Sequence, residues 1–510
     1  MTMHMARVSL CLYLLFVSQL LTAQSILIKN ARVVDGSGSK PFPADVRVTA
    51  DTIAAVAPRL KPLAGETVID AKGLVVSPGF IDMHSHADDG IFTKSHNAVI
   101  RQGITTVLVG QDGDEVYPLA DFFAKLEKTP PAMNVASMAG HGTLRRQVMG
   151  NDVRRPATPQ EIDKIFNLLH QEMLAGAMGM SGGLEYDAGH WAPTDELASL
   201  NRAVHDGGGF FNAHVRDEGN NVFQSFSEMI EIGRRASVPV QITHIKLGST
   251  PVWHQTTKIP ALFAQAAAEG VDLKADVYPY TFWHSNLRVI VLDGDYFNPE
   301  KVKQALVENG GADHLRITHY GQDRSLEDKT LAEIAAQWKI SPVDAYMKLV
   351  KSTLKPDGSP GDDDIEVMGE SMNEEDVKWF IAQPRIMFCT DGELEGKHPR
   401  GAGSFPRILG RYVREQRVLP LEAAIHKMTV LPAQRLGITD RGMIAKGMKA
   451  DLVIFDPATV IDGSTVERPL EPPKGIPYVV VNGVFVVKDG QLTNARPGKP
   501  LRHAQPAPAH

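Results

Sequence analysis

The chain has 510 residues, too many for one simple domain and enough for a barrel with insertions plus a smaller domain. Its 43% apolar and 22% charged residues are those of a globular protein with an ample core. A formal net charge of -7 leaves no basic footprint for nucleic acid, so a small soluble partner is expected.

Arg7 precedes the apolar stretch Val8 to Leu21, and Thr22-Ala23 offers a small-residue cleavage site before Gln24. That is signal-peptide anatomy, and the stretch is short for a transmembrane helix. Residues 1–23 are expected to be removed, leaving an exported protein, periplasmic or secreted, with no membrane insertion. Of the two cysteines, Cys11 and Cys389, cleavage leaves Cys389 alone, so no intramolecular disulfide is expected.

Next come short strand patterns: Ser25 to Ile28, Ala31 to Val34, Asp45 to Val48 and Thr52 to Val56. The style returns at the other end with Ala450 to Asp456, and with Tyr478 to Val481 and Val484 to Val487 around Asn482-Gly483, a strong hairpin signal. Each set alone would leave an apolar face uncovered, so residues 24–79 and 439–495 are expected to form one small β-sandwich domain. Between them, over 80–438, strands alternate with helical patterns at Leu119–Leu126, Pro159–Leu174, Thr194–His205, Val222–Ala236, Pro260–Glu269 and Leu421–Leu431. This rhythm implies a parallel sheet, and its length without a Gly-rich dinucleotide fingerprint favours a closed TIM-type (β/α)8 barrel. From about Asp293 to Met372 the rhythm breaks, which reads as an insertion near the barrel mouth. The Pro-, Ala- and His-rich residues 496–510 read as a disordered tail. No pattern speaks to oligomeric state.

Four apolar runs end in residues able to bind a metal: Leu74 to Met83 before His84-Ser85-His86, Phe210 to Ala213 before His214, Val240 to Thr243 before His244, and Arg385 to Thr390 before Asp391. Strands that deliver side chains at their C-terminal ends are how a β/α barrel builds its site. His84 and His86, one residue apart on a strand, are expected on one face. Neutral imidazoles with a carboxylate suit Zn²⁺ or a similar divalent ion.

Pro78-Gly79-Phe80-Ile81-Asp82-Met83-His84-Ser85-His86, Gly140-His141-Gly142-Thr143-Leu144-Arg145 and Ser181-Gly182-Gly183-Leu184-Glu185-Tyr186 follow one another in order. Then come Ala213-His214-Val215-Arg216-Asp217-Glu218-Gly219, Thr243-His244-Ile245-Lys246, Asp276-Val277-Tyr278-Pro279-Tyr280, Thr390-Asp391-Gly392 and His398-Pro399-Arg400. In these motifs the sequence resembles the amidohydrolase superfamily and, within it, the N-acyl-D-amino-acid deacylases. The resemblance implies hydrolysis of an N-acyl-D-amino acid to a carboxylate and a D-amino acid, with one or two Zn²⁺ or other divalent ions. It implies that His84, His86 and Asp391 hold the more exposed metal position and that His214 and His244 hold the tighter one. Where the family has a bridging cysteine, Val109-Gly110-Gln111-Asp112-Gly113 has Asp112, a harder donor that is also able to bridge two ions. It further implies that a metal-activated hydroxide is the nucleophile and Asp391 the general base turned acid. Tyr186, Lys246, Tyr278 and Arg400 would bind the substrate's α-carboxylate, a guanidinium doing so bidentately.

Two other readings stay open. One is a cyclic-amide hydrolase or dipeptidase of the same superfamily, though no lysine stands in Ala177 to Ser181 to carry a bridging carboxylate. The other is a non-catalytic exported metal- or ligand-binding protein on the same fold. His141 reads equally as a loop-fixing or a site residue, Trp283 and His284 as reshaping the pocket, and Cys389 as core.

Overall fold

A computed structural model describes residues 25–355 and 365–504. The expected signal peptide therefore lies outside the described residues. Among the described residues, no helix is long and apolar enough to cross a membrane.

Both ends of the chain meet in one nine-stranded sheet. The join is Val75–Pro78, which pairs parallel with Ser25–Val33 and antiparallel with Leu452–Phe455. Strand alternation gives the sheet two apolar faces. Ile26, Ile28, Val46, Val48, Leu452 and Ile454 fill a core of its own, while Val75, Val453, Phe455, Val479 and Val481 join the barrel's core. The Asn482-Gly483 hairpin forms as its residues require, with φ of 47° and 78° at the two turn positions. A Cβ on Gly483 would strike the Ala50 carbonyl, so only glycine fits there.

The barrel strands are β1 (Phe80–Asp82), β2 (Ile104–Val109), β3 (Asn134–Ser137), β4 (Gly179–Gly183), β5 (Phe210–His214), β6 (Val240–Ile242), β7 (Leu273–Val277) and β8 (Ile386–Phe388). β1 to β3 and β4 to β8 pair in parallel. The ring closes between β8 and β1 through the Asp391 N–H, which donates to His84 O at 2.8 Å, and the Ser85–Gly392 bridge. Between β3 and β4, the Met178 N–H donates to Ser137 O at 2.9 Å. These strands are buried almost throughout because both of their faces are covered, and the polar residues they carry, such as Asn134, Asn212 and Gln241, are buried with them.

The helices follow the sequence periodicity within one or two residues, as at Pro159–Ala175 and Val222–Ala236. The last expected helix divides into Leu421–Met428 and Val430–Arg435. Pro432 lacks the N–H that would continue the ladder to Met428, and its ring crowds that carbonyl.

The insertion starts earlier than Asp293. Trp283–Asn286 pairs antiparallel with Ile365–Gly369, which also pairs with Leu315–Tyr320. This sheet and helices Pro299–Glu308, Leu331–Trp338 and Pro342–Ser352 enclose a separate core that includes Leu306, Ile317, Ile334, Tyr346 and Val367. The segment is thus a small α/β lobe, its strands too short and irregular to stand out in the sequence.

The disordered tail expected from Arg496 is corrected for 496–504. The Val135 N–H donates to Lys499 O, the Val135 carbonyl accepts the Leu501 N–H, and the His503 N–H donates to Gly176 O. β4 meets β3 only from Ser137 onward, so the tail supplies the backbone partners that β3 otherwise lacks. Composition alone could not reveal that vacancy.

Candidate active site

Every candidate ligand lies at or just beyond the C-terminal end of a barrel strand. His214 ends β5, while His84 and His86 follow β1, Asp112 follows β2, His244 follows β6 and Asp391 follows β8. His84 and His86 are therefore past the strand on which the sequence pattern put them, yet their Nε2 atoms still approach to 3.3 Å. Three of these residues sit in the left-handed region, with φ of 55° at Asp112, 32° at His244 and 49° at Asp391. Such a backbone costs on the order of 1–3 kcal/mol per residue and persists only where neighbours enforce it. Here they do. Asp276 Oδ1 accepts the His244 N–H at 2.8 Å, and Asp82 accepts the Thr390 N–H at 2.8 Å and its hydroxyl at 2.5 Å. Burial pushes the Asp82 carboxyl up to about 7.

The rings and carboxylates converge. His84 Nε2 lies 3.4 Å from Asp112 Oδ2 and 3.5 Å from Asp391 Oδ1; for His86 Nε2 the distances are 3.5 and 3.3 Å. His244 Nε2 is 3.6 Å from Asp112 Oδ1 and 3.2 Å from His214 Nδ1. Asp112 thus turns Oδ2 to His84 and His86 and Oδ1 to His244. Burial raises its carboxyl, but the adjoining imidazoles overcome this and hold it well below the usual range. The His86 ring is 31% exposed and the His84 ring fully buried, so the cluster opens on the His86 side.

These residues fit a cation. Asp112 Oδ1 is buried with no hydrogen-bond partner among the described residues. Donor atoms of His84, Asp112, His244 and Asp391 all lie within 4.8 Å of one another, and His214, Glu218 and His244 form a second such group. Imidazole with carboxylate and no thiolate is a donor set for zinc and for harder divalent ions alike. Gly183 makes room for it, because a Cβ there would strike the Asp112 carbonyl and press on the Tyr186 ring.

The four residues expected to bind substrate surround this cluster. Arg400 Nη1 lies 2.5 Å from Asp391 Oδ2, and the Arg400 guanidinium lies 4.9 Å from the centre of the Tyr278 ring. Lys246 Nζ is 5.7 Å from that ring, 2.6 Å from Glu218 Oε1 and 2.8 Å from His244 Nδ1. Tyr186 Oη approaches His214 Nδ1 at 3.2 Å. Tyr280, two residues on from Tyr278, points away to Asp462 and Ser464. His141 lies apart, buried against Glu196 and Arg145. Cys389 is a buried free thiol.

Two carboxylates were missed in the sequence. Glu185 Oε2 lies 2.7 Å from His214 Nε2, and Glu218 Oε1 lies 3.1 Å from His244 Nδ1. Both stand inside quoted motifs, but only the strand register shows what they touch. The cluster lines the floor of a cleft of about 890 Å³, whose outer wall includes Trp283, His284, Ile290, Phe297 and Leu354 of the insertion lobe. That volume is near the upper end for small-molecule sites, roughly 300–1,000 Å³.

The amidohydrolase family pattern matches residues 67–277 and 364–487. Over 502 residues the chain is 35% identical to a D-aminoacylase of Alcaligenes xylosoxydans xylosoxydans, covering 93% of this chain and 97% of that one. This chain is a member of the amidohydrolase family, in its N-acyl-D-amino-acid deacylase branch. The fold agrees with that of the N-acyl-D-glutamate deacylase of Bordetella bronchiseptica, solved with zinc and a phosphonate mimic of the tetrahedral intermediate. The TM-score is 0.83 at 31% identity, covering 94% of this chain and 100% of that one. A D-aminoacylase structure addressing the role of its binuclear metal centre gives a TM-score of 0.81 at 33% identity, covering 94% and 99%. As a family member the chain is a metal-dependent hydrolase of linear amide bonds.

Proposed function

We propose that this protein hydrolyses N-acyl-D-amino acids to a carboxylate and a D-amino acid. The observation that carries the reading is the convergence of four histidines, Asp112 and Asp391 beside Arg400 and Lys246 at one barrel mouth. His84, His86 and Asp391 would hold one divalent cation and His214 and His244 a second, with Asp112 between them. When bound, such a cation polarises the amide carbonyl and lowers the pKa of water.

The chain's own residues do the rest. Arg400 holds one Asp391 oxygen and leaves the other facing the histidines. From there Asp391 takes a proton from water and returns it to the nitrogen of the leaving amine. The substrate's α-carboxylate is drawn to the cationic side of the cleft, where Arg400 and Lys246 flank Tyr278. The insertion lobe supplies the outer wall of the cleft. A cyclic-amide reading is disfavoured by β4, Gly179–Gly183, which carries no lysine, and there the Gly113 N–H donates to Ser181 Oγ at 3.1 Å. Export rests on the apolar stretch Val8 to Leu21 and the following Thr22-Ala23.

Purified, metal-analysed enzyme offered paired N-acetyl-D- and N-acetyl-L-amino acids tests the reading through released amine. Turnover of the D member alone is expected. Turnover of neither, with turnover of dihydroorotate or a dipeptide, would overturn the substrate assignment.

A further inference from the structure

His214 is held at both ring nitrogens by two consecutive residues. Tyr186 Oη lies 3.2 Å from Nδ1 and Glu185 Oε2 lies 2.7 Å from Nε2. The strand register makes this unavoidable. Gly183 of β4 is paired with His214 of β5, and the Leu184 N–H donates to His214 O at 2.9 Å. The chain therefore leaves β4 still attached to His214's own backbone, and its next two side chains fold over the ring.

A neutral imidazole carries one N–H and one lone pair, and which nitrogen has which is set by the partner of the other. A carboxylate accepts only, so at 2.7 Å it selects the Nε2–H form. The lone pair is then on Nδ1, which faces His244 Nε2 at 3.2 Å, with the Tyr186 hydroxyl at its side. The competing arrangement, with Glu218 as a ligand between His214 and His244, would need His214 Nε2 free. That nitrogen is engaged by Glu185, and Glu218 Oε1 is paired at 2.6 Å with the Lys246 ammonium.

We propose that Glu185 is a positioning residue: it accepts the His214 Nε2–H and so fixes the ring with Nδ1 aimed at the cation shared with His244 and Asp112. The proposal rests on His214 holding metal, as in the proposed function. Outer partners of this kind are worth 10–100-fold in metal affinity.

The test uses the whole mature protein, loaded with Zn²⁺ or Co²⁺, as wild type, Glu185→Ala, Glu185→Gln and His214→Ala. Metal affinity is read by chelator competition, the His214 environment by the Co²⁺ visible spectrum, and folding by the melting temperature of the metal-free protein. Glu185→Ala is expected to weaken the metal 10–100-fold and shift the Co²⁺ spectrum at an unchanged metal-free melting temperature. Glu185→Gln, whose amide oxygen still accepts the N–H, should recover part of the affinity. Wild-type affinity and spectrum in Glu185→Ala, beside metal loss in His214→Ala, would overturn the role of Glu185. Full metal content in His214→Ala would instead overturn the underlying ligand assignment. Should the alanine variant fail to fold, wild-type affinity in Glu185→Gln overturns the proposal and weakened affinity sustains it.

Discussion

Asp391→Asn separates the carrying of a proton from the holding of metal. One Asp391 oxygen lies 3.3 Å from His86 Nε2 and 3.5 Å from His84 Nε2, and the other lies 2.5 Å from Arg400 Nη1. An asparagine amide occupies the same volume with only one acceptor oxygen. Turned toward the histidines, that oxygen still serves a cation, and the NH2 group then opposes the guanidinium. Breaking a buried ion pair in this way costs about 3–5 kcal/mol, so a lower melting temperature is expected. Either orientation removes the base, which contributes roughly 10²–10⁴-fold, or about 3–5 kcal/mol of barrier. The turnover number on an N-acetyl-D-amino acid should therefore fall about 10²–10⁴-fold. Metal per chain, measured by plasma mass spectrometry after gel filtration, should stay at the wild-type value. Turnover within tenfold of wild type at intact metal content would refute Asp391 as proton carrier, and joint loss of metal and turnover would refute the separation of roles.

Glu196 gives a pH-dependent prediction away from the site. Burial raises its carboxyl, but His141 and Arg145 outweigh this and hold it at about 2. Its folded pKa is thus depressed from 4.5, so its contribution, on the order of 3 kcal/mol, is full above pH 4.5 and fades as the pH falls toward 2. In EDTA, the melting-temperature gap between wild type and Glu196→Gln should narrow below pH 4.5; a constant gap from pH 7 to pH 3.5 would contradict the assignment. Gly183→Ala should cost about 1–3 kcal/mol through overpacking against Asp112 and Tyr186 and should lower metal content, read by melting and metal analysis. An unchanged melting point and metal content would show that the loop has slack. Mass spectrometry of protein recovered by osmotic shock should find Gln24 as the first residue, and an intact Met1 in the cytosolic fraction would count against export.

The parts of the fold and site that were legible in the sequence are those fixed by local periodicity. His84, His86, His214, His244 and Asp391 each follow an apolar run, and the barrel's topology brings the ends of such runs together. The small domain was legible for a similar reason, since neither Ile26 to Ile28 nor Leu452 to Ile454 could bury its face alone. What escaped depends on distant partners. Glu185 and Glu218 read as ordinary loop carboxylates until the β4–β5 register sets them against His214 and His244. The insertion's first strand, Trp283–Asn286, has no alternation to mark it, and residues 498–503 are ordered by the unfilled edge of β3 rather than by their own composition.

An anomalous-difference map at the zinc edge, from crystals of the zinc-loaded protein, most directly addresses the claim that these side chains hold divalent cations. The account predicts density bounded by the His84, His86, His214 and His244 rings, with nitrogen and oxygen atoms at about 2.0–2.2 Å. Zinc bound elsewhere, with the space between Asp112 and Asp391 empty at saturating metal, would contradict it.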